Sequence, residues 1–102
     1  MESISHKTMS DVYTYDEDKN LKELQDYILD TYTQHNSKNK FQATQFILDS
    51  GHGEGFCIGN IMKYAQRFGK KNGKNRNDLL KILHYGMIAL YNLDMELNNE
   101  TE

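Results

Sequence analysis

Seven of the chain's twelve Lys and Arg residues fall within positions 63–81: Lys63, Arg67, Lys70, Lys71, Lys74, Arg76 and Lys81 share that stretch with a single carboxylate, Asp78. Cations gathered at this density suit the binding of phosphate. Arg supplies a planar fork for paired oxygens and Lys a movable point charge. The spacing adds a direction. In "GFCIGNIMKYAQRFGKK", residues 55–71, Cys57, Ile61, Tyr64 and Phe68 recur at the helical period and predict a buried stripe. Phe56, Asn60, Lys63 and Arg67 then lie on the neighbouring edge, at i, i+4, i+7 and i+11. Lys70 and Lys71 continue the line past the helix end, Lys74 and Arg76 occupy the next loop, and Lys81 sits one turn into the following helix. An antiparallel pair of helices joined by that loop brings Lys63, Arg67, Lys70 and Lys81 within reach of one phosphate group. The same residues have a plainer reading as well. Basic side chains at a helix C-terminus complement its dipole, and Lys-rich loops are often simply solvated. Composition and spacing do not choose between the two.

The charge balance narrows the ligand. The net charge is −3, with 5 basic and 10 acidic residues in 1–62, 7 basic and 1 acidic in 63–81, and no basic and 4 acidic in 82–102. One positive segment on an acidic protein suggests a compact anion, not a long polyanion, so DNA or RNA ranks lowest among the possible partners. At 102 residues the chain is the size of one small domain, and its 37% hydrophobic content leaves a modest core. Association with copies of itself would add burial, and a homo-oligomer is expected. The lone Cys57 excludes an internal disulfide. No secretory leader and no apolar run near the roughly 20 residues of a membrane span is present, so the expectation is a cytoplasmic protein without a membrane partner.

Other chemistries fit less well. The chain has no G-x-x-x-x-G-K-[ST] run, and Gly51, Gly53 and Gly55 lack both the dinucleotide-binding spacing and a preceding strand, so they are read as loop glycines at a tight helix–helix turn. His52, Glu54 and Cys57 resemble half of a zinc deaminase signature whose second half one cysteine cannot supply; no metal site is expected. His52 lies at the mouth of the third helix, where an anion is favoured, and is kept as a candidate ligand contact beside its plainer reading as a water-facing loop imidazole. His84 is read as a core-edge residue and Cys57 as a small buried apolar group. The seven tyrosines, Tyr13, Tyr15, Tyr27, Tyr32, Tyr64, Tyr85 and Tyr91, are read mainly as interface packing. A magnesium-chelating pyrophosphatase of the MazG type needs clustered carboxylates, whereas the last two helices offer only Asp78, with Asp94 and Glu96 at the far end.

These side chains need helices to position them, and the predicted fold is all-α, with about four helices and a central basic hairpin. Residues 1–18 are polar and acidic and are predicted to be a flexible arm, 19–98 a single helical domain, and 99–102 a tail. Leu21, Leu24, Ile28 and Tyr32 mark the first helix, with Asn20 as its cap and "HNSKNK" as the break after it. "FQATQFIL", residues 41–48, forms a short second helix closed by Ser50-Gly51. The third helix ends at "GKKNGKN". The fourth starts near Asn77 or Asp78 and runs to about Leu97, with an inward stripe of Leu79, Ile82, Leu83, Gly86, Ala89, Leu90, Leu93 and Leu97.

The run "GFCIGNIMKYAQRFGKKNGKNRNDLLKILHYGMIAL" contains a Gly-Asn pair (Gly59, Asn60), then Lys63-Tyr64, Arg67, Lys70, and a following helix with Asp78-Leu79, Lys81 and Tyr85. In this it resembles a small phage protein family, long known only as a domain of unknown function, that includes the nucleotide kinase of T7-type phages. The resemblance covers residues 41–91 at most. It implies nucleotide binding and a kinase-like phosphoryl transfer with ATP and Mg2+. Lys63, Arg67, Lys70 and Lys81 would then hold phosphates, Asn60 and Asp78 would orient a magnesium ion or a hydroxyl, and Tyr64 or Tyr85 would stack on a base. Where the family has a His-Tyr pair before the first shared helix, this chain has His35-Asn36. No catalytic base stands out. The alternative is therefore a non-catalytic oligomeric sponge that sequesters nucleotide signals, cyclic ones included, of host anti-phage defence. If the protein is phage-encoded, the compartment is the host cytoplasm.

Overall fold

The structure, a computed structural model, describes residues 12–34 and 37–101. Its described residues are all-α, as the hydrophobic periodicity predicts. Four helices follow in order: α1 Glu17–Thr33, α2 Ser37–Asp49, α3 Gly53–Arg67 and α4 Arg76–Thr101. Most of the expected N-terminal arm, and the His35-Asn36 pair, lie outside the described residues.

Local chemistry moves several boundaries. The first helix starts a turn before Leu21, so Glu17 and Asp18 of the expected arm already belong to it, where acidic side chains oppose the helix dipole. Asp16, in the left-handed region at φ 60°, leads into it, and its carbonyl accepts the Asn20 N–H at 2.8 Å. Asn20 is therefore not the cap. Ser37–Lys40, read as part of a break, are the first turn of α2. Gly51 ends that helix at φ +86°, a conformation that disfavours any side chain, and the His52 N–H closes back onto the Ile47 carbonyl at 3.1 Å. Gly53 and Gly55 are not loop residues but the first turn of α3. The fourth helix is capped by Asn75 in place of Asn77 or Asp78, because Asn75 Oδ1 accepts the Asn77 N–H at 2.9 Å. That frees Asp78 to turn inward, where it is only 2% exposed. At its other end α4 continues through the expected tail to Thr101.

The antiparallel α3–α4 hairpin is the centre of the fold. Residues near the end of α3 meet the start of α4, as with Arg67 and Asp78, while Gly53 at the start of α3 lies against Asn92. The α1 helix runs alongside α4 in the same direction. Arg76 grips Glu23 through two hydrogen bonds of 2.6 and 2.7 Å and reaches Asn20 Oδ1 at 3.2 Å, and about two turns further along α4 His84 meets Tyr27 and Tyr32 edge-to-face. The Arg76 guanidinium holds the Glu23 carboxyl below its usual range. The short α2 bridges α1 and α3, with Phe41 edge-on to Tyr32 and Leu48 inside.

Among the described residues the buried apolar core is thin, comprising Leu24, Leu48, Cys57, Tyr64 and Leu80. The Cys57 side chain is wholly enclosed, and burial pushes its thiol pKa up. The inward stripe predicted for α4 is half-buried at Ile82, Gly86 and Ala89 but not at its leucines. Leu79, Leu83, Leu90, Leu93 and Leu97 are all exposed. The helix instead turns toward its neighbours a face carrying Asp78, Lys81, His84, Tyr85, Ile88 and Asn92. The reason is partner geometry: aromatic, ionic and close backbone contacts to α1 and α3 exist only for that second face.

The two early glycines of α3 should respond oppositely to alanine. A Cβ at Gly53 would overlap the Asn92 carboxamide and a Leu48 methyl, whereas at Gly55 it would meet open space. Denaturant unfolding should show Gly53→Ala destabilised by about 1–3 kcal/mol. Gly55→Ala should be stabilised by roughly 0.5–1 kcal/mol through helix propensity. Equal responses would contradict the packing of α3 against Asn92.

Candidate functional site

Helical periodicity places Tyr64 on the inner side of α3, 9% exposed, and its ring stacks on Tyr85 of α4 at 6.1 Å and 14° from parallel. Phe56 meets Tyr85 edge-to-face at 5.7 Å. Three cations surround the same tyrosine: Lys63 Nζ lies 4.7 Å, Lys81 Nζ 5.1 Å and the Arg67 guanidinium carbon 5.8 Å from its centroid. The hairpin thus converges Lys63 and Arg67 from one helix with Lys81 from the other, although Lys81 is 14 or more positions away in sequence. The spread of these charges is within about one Debye length, near 10 Å at 0.1 M salt, so their fields add.

Among the described residues, one carboxylate answers them. Asp78 Oδ1 is 3.8 Å from Arg67 Nε, an ion pair too long for a hydrogen bond. Asp78 Oδ2 and Arg67 Nε are shielded from solvent and have no hydrogen-bond partner among the described residues. Buried polar atoms are usually satisfied, so this pair is a place where a ligand atom or a small movement would complete the bonding.

The other candidates fall elsewhere. Asn60 donates one Nδ2 hydrogen to the Phe56 carbonyl of its own helix at 2.8 Å. Lys70 and Lys71 lie exposed in the turn after α3, their backbone N–H groups bonded to the Arg67 carbonyl, and are not among the cations around Tyr64. His52 precedes the opposite end of α3, twelve residues and about 18 Å from Tyr64 along the helix axis. Arg76, counted with the basic loop, is taken up by Glu23. Among the described residues, no group of three or more His, Cys, Asp or Glu side chains is arranged to hold a metal ion.

An open cleft of about 750 Å³ adjoins the cluster and shares Tyr64 and Lys81 with it. Tyr85 and Phe56 continue its wall, and α1 and α2 supply the rest, notably Tyr27, Tyr32, Phe41, Thr44 and Gln45. The volume falls in the range of small-molecule pockets, roughly 300–1,000 Å³, and an aromatic lining with a few polar groups is typical of them. The α1–α2 contribution is what reading the basic hairpin alone misses. Its signal is present in the i, i+4 pairs Ile28–Tyr32 and Phe41–Gln45, but nothing in one sequence says that those faces meet α4.

Burial tunes the titratable groups of this cleft. It pushes the Tyr27 and Tyr85 hydroxyl pKa values up and the His84 imidazole down. The His84 ring sits among Tyr27, Tyr32 and Tyr85, with Nε2 3.4 Å from the Tyr32 hydroxyl. A histidine whose folded pKa is depressed binds fewer protons folded than unfolded, so stability is complete above the unfolded value of 6.5 and declines as pH falls through it toward the folded value. Thermal melting should therefore be lower at pH 5.5 than at pH 7.5, and His84→Gln should shrink that difference. The Glu23 contribution is lost only below its ordinary value of 4.5, outside this window. A pH response untouched by His84→Gln would show that another group carries it.

No helix among the described residues is long and apolar enough to cross a membrane. No curated protein and no solved structure matches the chain. Residues 27–86 do match a family, described as a protein of unknown function, DUF3310. The match runs from Tyr27 on the cleft wall of α1 to Gly86, one residue beyond Tyr85, and so takes in Lys63, Tyr64, Arg67, Asp78 and Lys81. Since more than half of the chain and all of the cation cluster lie within that match, the protein belongs to the DUF3310 family.

Proposed function

We propose that the protein binds a nucleotide, with the base in the aromatic cleft and the phosphate at Lys63, Arg67 and Lys81. The observation that carries this reading is the surplus of positive charge around Tyr64: three cations lie within 5.8 Å of one ring centroid, and a single carboxylate is paired to one of them. Cations brought together beyond their counter-charge favour an anion at the same place. A phosphate takes charge-assisted bonds from Lys and Arg, and the neighbouring aromatic walls offer faces for a flat heterocycle. Asp78 would act through Arg67, orienting its guanidinium, and is not assigned a magnesium ion. Asn60, one turn before Lys63 and Tyr64, keeps a second amide N–H and its Oδ1 for the ligand.

The resemblance to the T7-type phage kinase extends this to phosphoryl transfer between ATP and a nucleoside monophosphate. Such catalysis rests mainly on positioning and charge neutralisation, which a Lys/Arg cluster supplies, and magnesium would enter with the ATP phosphates. Binding without turnover is favoured by a different observation. Two side chains near the cluster able to accept a proton are committed elsewhere: Asp78 is buried beside Arg67, and His84 is packed among tyrosines.

Calorimetry with nucleoside monophosphates and ATP tests the site. Lys63→Ala and Lys81→Ala should each weaken binding by about 10- to 100-fold, the worth of one charge-assisted hydrogen bond. Lys38→Ala, on the exposed start of α2, should leave affinity unchanged. A Lys63→Ala/Lys81→Ala double variant that binds like the parent rejects the assignment. Chromatography after incubation with a monophosphate, ATP and Mg2+ then separates the two modes: new diphosphate identifies a kinase, and recovered intact ligand a binder.

A further inference from the structure

The exposed face of α4 has a regular pattern. Leu79, Leu83, Gly86, Leu90, Leu93 and Leu97 follow one another at spacings of four, three, four, three and four, the alternation of a coiled-coil seam. The five leucines are 45%, 49%, 63%, 47% and 49% exposed in chain order. The seam extends about 27 Å at 1.5 Å per residue. Around the helix it lies opposite Lys81, His84 and Ile88, which line the cleft, so it forms the back of the site. Neither lone surface leucines nor a core stripe explains the pattern: scattered exposed leucines are ordinary, but an unbroken a/d register over five of them is not.

The charges along α4 identify what covers this seam. Its start and the preceding turn carry Lys70, Lys71, Lys74, Arg76 and Lys81, while positions 82–102 hold four acidic residues, Asp94 and Glu96 among them, and no basic one. A second α4 laid parallel would set acid against acid and base against base. Laid antiparallel, the acidic end of each α4 is kept away from that of the other copy, and the two helix dipoles oppose favourably. The side chains fit this arrangement too. With a two-fold axis at the level of residue 88, Leu79 faces Leu97 of the second copy, Leu83 faces its Leu93, and Leu90, the most exposed knob, faces Gly86, the one position in the seam without a side chain. Each contact is matched by its symmetry mate, as an isologous interface requires.

We infer that this protein self-associates through α4, back to back and antiparallel, with the leucine seam buried on the two-fold axis and the clefts facing outward on opposite sides. This inference stands independently of the nucleotide reading.

Sedimentation equilibrium of the full chain tests it, with circular dichroism to confirm folding. The expected mass is twice 11.9 kDa, or an even multiple of the chain. Leu90→Lys should raise the dissociation constant by on the order of 100-fold or more, because it buries an unpaired charge on the axis. Leu29→Lys, on α1 and 64% exposed, should leave association unchanged. Orientation is read from oxidation: Leu83→Cys/Leu93→Cys should form a covalent dimer, and neither single variant should. A monomeric parent chain, a folded Leu90→Lys variant with unaltered association, or cross-linking by Leu83→Cys alone would each overturn the inference.

Discussion

The stacking of Tyr64 on Tyr85 sets the register of the α3–α4 hairpin, and the other features of the site follow from that register. With the rings 14° from parallel, α3 and α4 are fixed so that Arg67 falls beside Asp78 and Lys81 reaches the same tyrosine as Lys63. At the far end of the hairpin, Gly53 allows the backbone of α3 to approach Asn92, so both ends hold the same alignment. A slip of one residue would rotate the cations about 100° around the helix and disperse them. Packing and electrostatics therefore depend on one another here. The stack gathers like charges, and the charges lie against the ring's electron-rich faces, a contact worth about 0.5–1 kcal/mol each at exposed positions.

Two faces of α4 divide the work of the molecule. The inward face is aromatic and polar, and it meets α1 through His84 and Arg76 and α3 through Tyr85, Asp78 and Asn92. The outward face is the most regularly apolar part of the chain. That a small protein with so few buried apolar side chains leaves leucines outside is consistent with the difficulty short chains have in enclosing a sufficient core alone. Additional burial by a second copy would stabilise the same helix whose inner face builds the cleft.

The cleft and the cation cluster are contiguous but chemically different. One is lined by aromatic rings and a few hydroxyl and amide groups from α1 and α2, the other is a concentration of charge on the hairpin, and Tyr64 and Lys81 belong to both. A ligand with a flat apolar part joined to an anionic part matches this sequence of surfaces, and nucleotides have that form. The family match spans both halves, from Tyr27 to the α4 residues that complete them.

The helical class, the approximate helix positions and the basic hairpin were legible in the sequence, because each is a local property: a 3.6-residue period, glycine and asparagine at the breaks, and charge clustered within nineteen residues. Local signals also grouped Lys63, Arg67 and Lys81, with Lys70, at one hairpin, and the family resemblance added Tyr64, Asp78 and Tyr85. They could not separate these from His52, which the helix rise carries to the far end of α3, or from Arg76, which an acidic residue 53 positions earlier engages. Nor could periodicity decide which side of α4 is buried. Leucines at strict a/d spacing give the stronger apolar signal, yet the inner side is chosen by contacts with residues distant in the chain: Tyr64, Arg67, Gly53 and Tyr27. Hydrophobic pattern tells a helix that it has a face to cover, but only the tertiary partners, through complementary shape and charge, determine which face is covered within the chain and which is left for something outside it.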